Sequence, residues 1–159
     1  MCCVGCSGYT TQAVPRCADR DRSADMEMKL SHIGIAVESL EQAVEIYGET
    51  LGFELKESVQ MSDEGMRIAI MNCGNTQIEL IEPTSDDTPV GKFLKKRGSG
   101  LHHLCFSVPK LERVLKVLEG KGLRAIAPPS VGAEGERVVF FNPKETMGVL
   151  IEICEEGVE

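Results

Sequence analysis

From Lys29 onward the apolar and polar positions fall into short, regular runs. The segment LSHIGIAV is β-branched and apolar, which predicts a buried strand. Ser39 follows as an N-cap, with Gln42 in the capping-box position and Leu40, Ala43, Val44 and Tyr47 at helical spacing; Gly52 then stops the helix. FELKESVQ, MRIAIMN and TQIELIEP read as three further strands, the last two joined by a turn at Cys73-Gly74-Asn75. The first half of the chain therefore predicts β-α-β-β-β.

The second half repeats this order. LHHLCFSV is strand-like, Leu111, Val114, Leu115 and Leu118 keep helical spacing, Gly120 and Gly122 close that helix, and strands are predicted near LRAIA, ERVVFFN and GVLIEIC. An offset of 71 brings His32 onto His103, Val37 onto Val108, Leu40 onto Leu111 and Glu41 onto Glu112. The offset is 70 for Arg67 with Arg137 and for Asn72 with Asn142, and 73 for Glu79 with Glu152. Drift this small is what loop insertions of a residue or two produce, and a repeat fixes which positions are structurally equivalent. The expected organisation is an α+β domain over residues 29–155 made of two tandem βαβββ modules, module one at about 29–83 and module two at 101–155. The connector, 84–100, carries a short helix that starts at Thr88-Pro89.

Composition adds bounds to this picture. The chain has 159 residues, 42% of them hydrophobic, enough for one domain with a real core. Its formal charge of -8 disfavours nucleic acid and anionic membranes as partners, so an anionic substrate must be met by local positive charge or a metal. No apolar run approaches the roughly 20 residues that span a bilayer. Cys105 and Cys154 lie inside apolar runs, where reduced thiols act as small core side chains, and a cytoplasmic location is expected. Residues 1–28 lack any hydrophobic period and are expected to form a disordered extension. They lack the apolar stretch of a signal peptide and contain Asp19, Asp21 and Asp25, which a transit peptide avoids; a start codon placed too early explains them more simply.

The repeat also selects the candidate chemistry. His32 and His103 occupy the first strand of each module, and Glu79 and Glu152 occupy the last. Taken singly, a strand His is more often a hydrogen-bonded core residue, and a strand Glu more often faces solvent. But Glu79 sits in QIELI and Glu152 in LIEIC, where an ionised carboxylate is costly unless something positive compensates it. Brought together by a pseudo-twofold axis, two imidazoles and two carboxylates form an open, borderline-hard site suited to Co, Mn, Ni, Fe(II) or Zn. His102 is expected to point away from His103, as neighbours in a strand do.

At these residues the chain resembles a known group. The paired modules and the segments HIGIAVESL, LGFE, GNTQIELIEP, KFLKKRGSGLHHLCFSV and NPKETMGVLIEIC are similar to the vicinal-oxygen-chelate superfamily (the glyoxalase/bleomycin-resistance-like fold), and within it to the methylmalonyl-CoA epimerase family. The resemblance covers about residues 29 to 155. It implies metal ligation by His32, Glu79, His103 and Glu152, with cobalt the first choice of divalent metal, and an acyl-CoA substrate epimerised at carbon 2 through a metal-stabilised enolate. It also implies a homodimer. One relative carries Gln in place of Glu79. Glu152 is implied as one general base. The family's second base aligns with Ile68, so that role is open, with Glu64 or a coordinated water as candidates. Lys144, in the loop before the last strand, is a candidate contact for the phosphate or carboxylate of the substrate, and equally an exposed loop lysine.

Two other readings use the same fold. A glyoxalase-type lyase or isomerase would need nearly the same four ligands, and a metal-free small-molecule-binding module would be expected to lack them. A ring-cleaving dioxygenase fits less well with 4% aromatic residues and no Trp.

Overall fold

The computed structural model describes residues 27–157. Most of the expected disordered extension lies outside the described residues. Eight strands form one sheet, in the order β2-β3-β4-β1-β5-β8-β7-β6, curled into a half-barrel. The strands are β1 (Lys29–Ala36), β2 (Glu54–Met61), β3 (Met66–Cys73), β4 (Thr76–Pro83), β5 (Gly100–Val108), β6 (Ser130–Val131), β7 (Arg137–Phe141) and β8 (Leu150–Glu155). The helices are α1 (Leu40–Val44), α2 (Pro89–Arg97) and α3 (Leu111–Gly120). Each half runs strand, helix, then three strands, with its first and last strands parallel: β1 with β4, and β5 with β8. The halves join where β1 lies antiparallel to β5, which places a local twofold axis between those two strands.

Alternation along the strands explains the layers. On β3 and β4, Ala69, Met71, Ile78 and Leu80 point outward and pack with Leu40 and Ala43 of α1. Leu111, Val114 and Leu118 of α3 do the same against Val139, Phe141 and Ile153 in the second half. The intervening residues Ile68, Ile70 and Ile81 face the concave side, where Val90, Phe93 and Leu94 of α2 join them. Lys56 on β2 pairs with Glu134 in the loop before β7, tying the two edges of the sheet.

The helix signals of the sequence are realised with one change. Ser39 accepts a hydrogen bond from the Gln42 backbone N–H, and Gly52 closes the segment at φ +79°. Beyond Val44 the helix widens into π turns over Glu45–Thr50. Thr88 accepts from the Gly91 N–H at 2.9 Å and Pro89 opens α2, as the connector sequence predicts. The strand expected at LRAIA does not form. Ala125 makes only an isolated bridge to Phe141, and the edge strand is the two-residue β6. Pro128 and Pro129 supply the reason, since neither has an N–H to extend a ladder.

Candidate metal centre

Among the described residues the buried polar side chains are His32, Glu79, His103 and Glu152 and no others, each 3–5% exposed. The register that brings them together is cross-wise. On β1, Gly34 stands between Glu79 of β4 and His103 of β5. On β5, Cys105 stands between His32 of β1 and Glu152 of β8. Each imidazole therefore leans across the seam toward the other module.

The distances are those of donors meeting at one point. His32 Nε2 lies 3.1 Å from His103 Nε2, 3.6 Å from Glu79 Oε2 and 3.3 Å from Glu152 Oε2, and His103 Nε2 lies 2.9 Å from Glu152 Oε2. Ligands about 2.0–2.2 Å from one ion stand roughly 3–4 Å from one another, so the set fits a divalent cation with open positions left over. The ligand atoms of His32, Glu79 and His103 all fall within 4.8 Å of one another, and those of His32, Cys105 and Glu152 do likewise.

The two carboxylates differ electrostatically. Burial pushes the Glu152 carboxyl up, but its contacts with His103 and His32 outweigh this and hold it at about 2. Burial likewise opposes charge on His32, yet the Glu152 hydrogen bond and the charges of Glu79 and Glu152 lift it to about 8. Glu79 is raised, chiefly by burial, which the charge of His32 only partly offsets.

Three features around the ligands were not anticipated. The first is a correction: His102 does not point away from His103. Gly34 pairs with His103 while Ile35 pairs with Leu101, so His102 is the extra residue of a β-bulge, and the bulge turns both rings to one side. His102 Nδ1 then lies 3.0 Å from His103 Nδ1. Burial, followed by the charge of His103, lowers the His102 imidazole to about 4. The second is Gly34, which forms the floor beneath His103; a Cβ there would sit 2.2 Å from His103 Cε1. The third is Glu136, whose side chain enters the cavity wall and accepts from the Glu134 N–H at 2.9 Å. A glycine inside a strand hints at close approach, whereas nothing in the sequence marks the bulge.

A cavity of about 430 Å³, within the range of small-molecule sites, opens onto Glu79, His103 and Glu152, with His32 behind them. Its walls are mostly apolar, including Met61, Met66, Ile68, Val138, Phe140 and Leu150. Glu64, exposed in the turn between β2 and β3, borders it. Lys144 does not: it is exposed in the turn before β8, its backbone N–H bonded to the Asn142 side chain at 3.0 Å. Among the described residues no helix is long and apolar enough to cross a membrane.

Comparison with known proteins agrees with this geometry. Residues 31–140 match the glyoxalase/bleomycin resistance protein/dioxygenase superfamily. A mitochondrial methylmalonyl-CoA epimerase of Dictyostelium discoideum is 37% identical over 130 residues, which are 80% of this chain and 78% of that protein. The crystal structure of methylmalonyl-CoA epimerase from Mycobacterium tuberculosis superposes with a TM-score of 0.77 at 34% identity, covering 81% of this chain and 88% of that one. A methylmalonyl-CoA epimerase in complex with methylmalonyl-CoA and ammonium superposes with a TM-score of 0.78 at 33% identity, covering 82% and 96%.

Proposed function

The chain belongs to the glyoxalase/bleomycin resistance protein/dioxygenase superfamily and within it to the methylmalonyl-CoA epimerases, and from that membership and the buried site we propose how its own residues interconvert the two epimers of methylmalonyl-CoA at carbon 2. The observation that carries the reading is that buried His32 lies within 3.6 Å of Glu79, Glu152 and His103, all three of which line one cavity.

In this reading these four residues hold a divalent cation, cobalt by preference among those that suit the donor set. A cation held there would supply Lewis-acid polarisation of a substrate carbonyl, which would make the carbon 2 proton more acidic. Glu152, ionised in the folded protein, is in the state to accept that proton. The carbon 2–hydrogen bond breaks, its electron pair passes into the thioester as an enolate, and the apolar walls exclude bulk water while the enolate lasts. Return of a proton to the opposite face completes the inversion. Because Ile68 stands where the family places its second carboxylate, we assign this step to Glu64 at the cavity border.

Lys144 lies outside the cavity, so its part is with the phosphates of the CoA moiety rather than with the reacting carbon. We further infer a homodimer and a cytoplasmic setting, the latter supported by the free thiols of Cys73, Cys105 and Cys154. The test is the interconversion of (2R)- and (2S)-methylmalonyl-CoA, resolved by enantioselective chromatography after the protein has been stripped with a chelator and again after Co(II) is restored. Interconversion should appear with the metal. Its absence from a protein that has taken up Co(II) would refute the reading.

A further inference from the structure

His103 is held far more closely than a ligand needs to be, and the residue that holds it has no part in the reaction described above. Its Nε2 faces His32 Nε2 and Glu152 Oε2, at 3.1 Å and 2.9 Å, so Nε2 is the atom offered to a cation. Its Nδ1 faces His102 Nδ1 at 3.0 Å. A neutral imidazole carries one proton, and a lone pair on Nε2 requires that proton to sit on Nδ1. Two facing Nδ1 atoms can share a hydrogen bond only if one donates and the other accepts.

We propose that His102 is the positioning residue for the second imidazole ligand: its Nδ1 accepts the His103 Nδ1–H and so fixes His103 in the tautomer whose Nε2 lone pair faces the centre. The inference rests on the metal reading of the site and deepens it. Three structural facts support it. The bulge at His102 is what allows adjacent side chains of one strand to face each other. The His102 ring is braced edge-on against Phe93 of α2, with centroids 5.1 Å apart at 79°, and the Arg97 guanidinium lies 5.7 Å from the other member of that pair, Phe93. The remaining sides of His103 are closed by the Gly34 backbone and by Phe140, whose ring centroid is 5.9 Å away. With floor and wall fixed, the donor-acceptor pairing at Nδ1 is what selects the tautomer. Metal-bound imidazoles generally have such a partner on the second nitrogen, most often an oxygen; here a second imidazole fills that place.

The experiment compares Co(II) affinity, by competition with a chromophoric chelator, in the unaltered protein, His102→Phe and His102→Asn. The melting temperature of each metal-free protein checks that it is folded. Phe keeps a ring against Phe93 but cannot accept a hydrogen bond. Asn places its Oδ1 near the position of the His102 Nδ1 and can accept one. The expected result is an affinity loss on the order of 10–100-fold for His102→Phe and only a few-fold for His102→Asn. In the Zn(II)-loaded unaltered protein, 15N NMR should show His103 with its proton on Nδ1 and exchanging slowly, and exchange should quicken in His102→Phe. Equal affinity in His102→Phe and the unaltered protein would overturn this inference alone, as would an Asn variant as weak as Phe. Failure of the unaltered protein to bind any divalent cation would overturn the metal reading and this inference with it.

Discussion

The two halves of the molecule share an exterior and differ around their ligands. On the outside, Arg67 bonds Glu41 and Glu82, while its counterpart Arg137 pairs with Glu112 and Glu155, the equivalents of those two acids. Inside, Ser31 and His102 are the equivalent bulged residues, Gly34 stands where the second half has Cys105, and Ile70 where it has Phe140. The carboxylates diverge most: Glu152 touches both imidazoles and is held strongly ionised, whereas Glu79 lies 3.6 Å from His32 and is raised by burial. A duplicated frame brings two imidazoles and two carboxylates together near one axis, and departures from symmetry then give the two carboxylates different surroundings.

The largest expected effect comes from exchanging each carboxylate for its amide. Glu152→Gln keeps an oxygen able to coordinate but cannot take a proton, and turnover should fall by about 10²–10⁴-fold with metal content unchanged. Glu79→Gln also keeps a ligand oxygen and has no proton to move, so it should retain metal and much of the activity. Elemental analysis beside the epimerisation rate separates the two. Equal, modest losses would end the assignment of Glu152 as base and shift the search on that face to a coordinated water.

The floor positions give the next contrast. Gly34→Ala puts a methyl group into the His103 ring, and Co(II) affinity should drop on the order of 10–100-fold. At the equivalent place a side chain is already present, so Cys105→Ala should change affinity only slightly. Both are read by the chelator competition, and a tolerated Gly34→Ala would show that His103 has more room than the structure gives it.

Cation binding should also stabilise the fold as a whole. At a free Co(II) concentration of 100 times Kd, the linkage is worth about 2.7 kcal/mol, which should vanish in His32→Ala and is read as the metal-dependent shift in melting temperature. Smallest of all are the outer ion pairs. Arg67 and Arg137 are substantially exposed, so Arg67→Ala and Arg137→Ala should each lower the melting temperature little, and by similar amounts. A large effect from one alone would break the symmetry of the exterior.

Much of this was legible before any coordinates, for reasons that are specific. The buried cluster could be read because the offset joining His32 to His103 recurs at Leu40 and Leu111, and because Glu79 and Glu152 sit among Ile and Leu, where a carboxylate needs a reason. The helix starts at Ser39 and Thr88 could be read because capping is local chemistry. His102 was misplaced because strict alternation assumes an unbroken ladder, and a bulge is a property of the pairing between two strands. The strand expected at LRAIA is a different case: the run is apolar, but Pro128 and Pro129 directly after it cannot donate to a ladder. Gly34 shows its role only once the His103 ring lies above it.

The most direct test of the whole account is deuterium incorporation at carbon 2 of methylmalonyl-CoA in D2O, followed by mass spectrometry, with the protein first metal-stripped and then loaded with Co(II). The account predicts uptake of one deuterium that requires the cation and that, for the epimer whose carbon 2 proton faces Glu152, is nearly abolished in Glu152→Gln. A Co(II)-loaded protein that leaves the carbon 2 proton in place, or one that exchanges it equally fast from both epimers after Glu152→Gln, would contradict it.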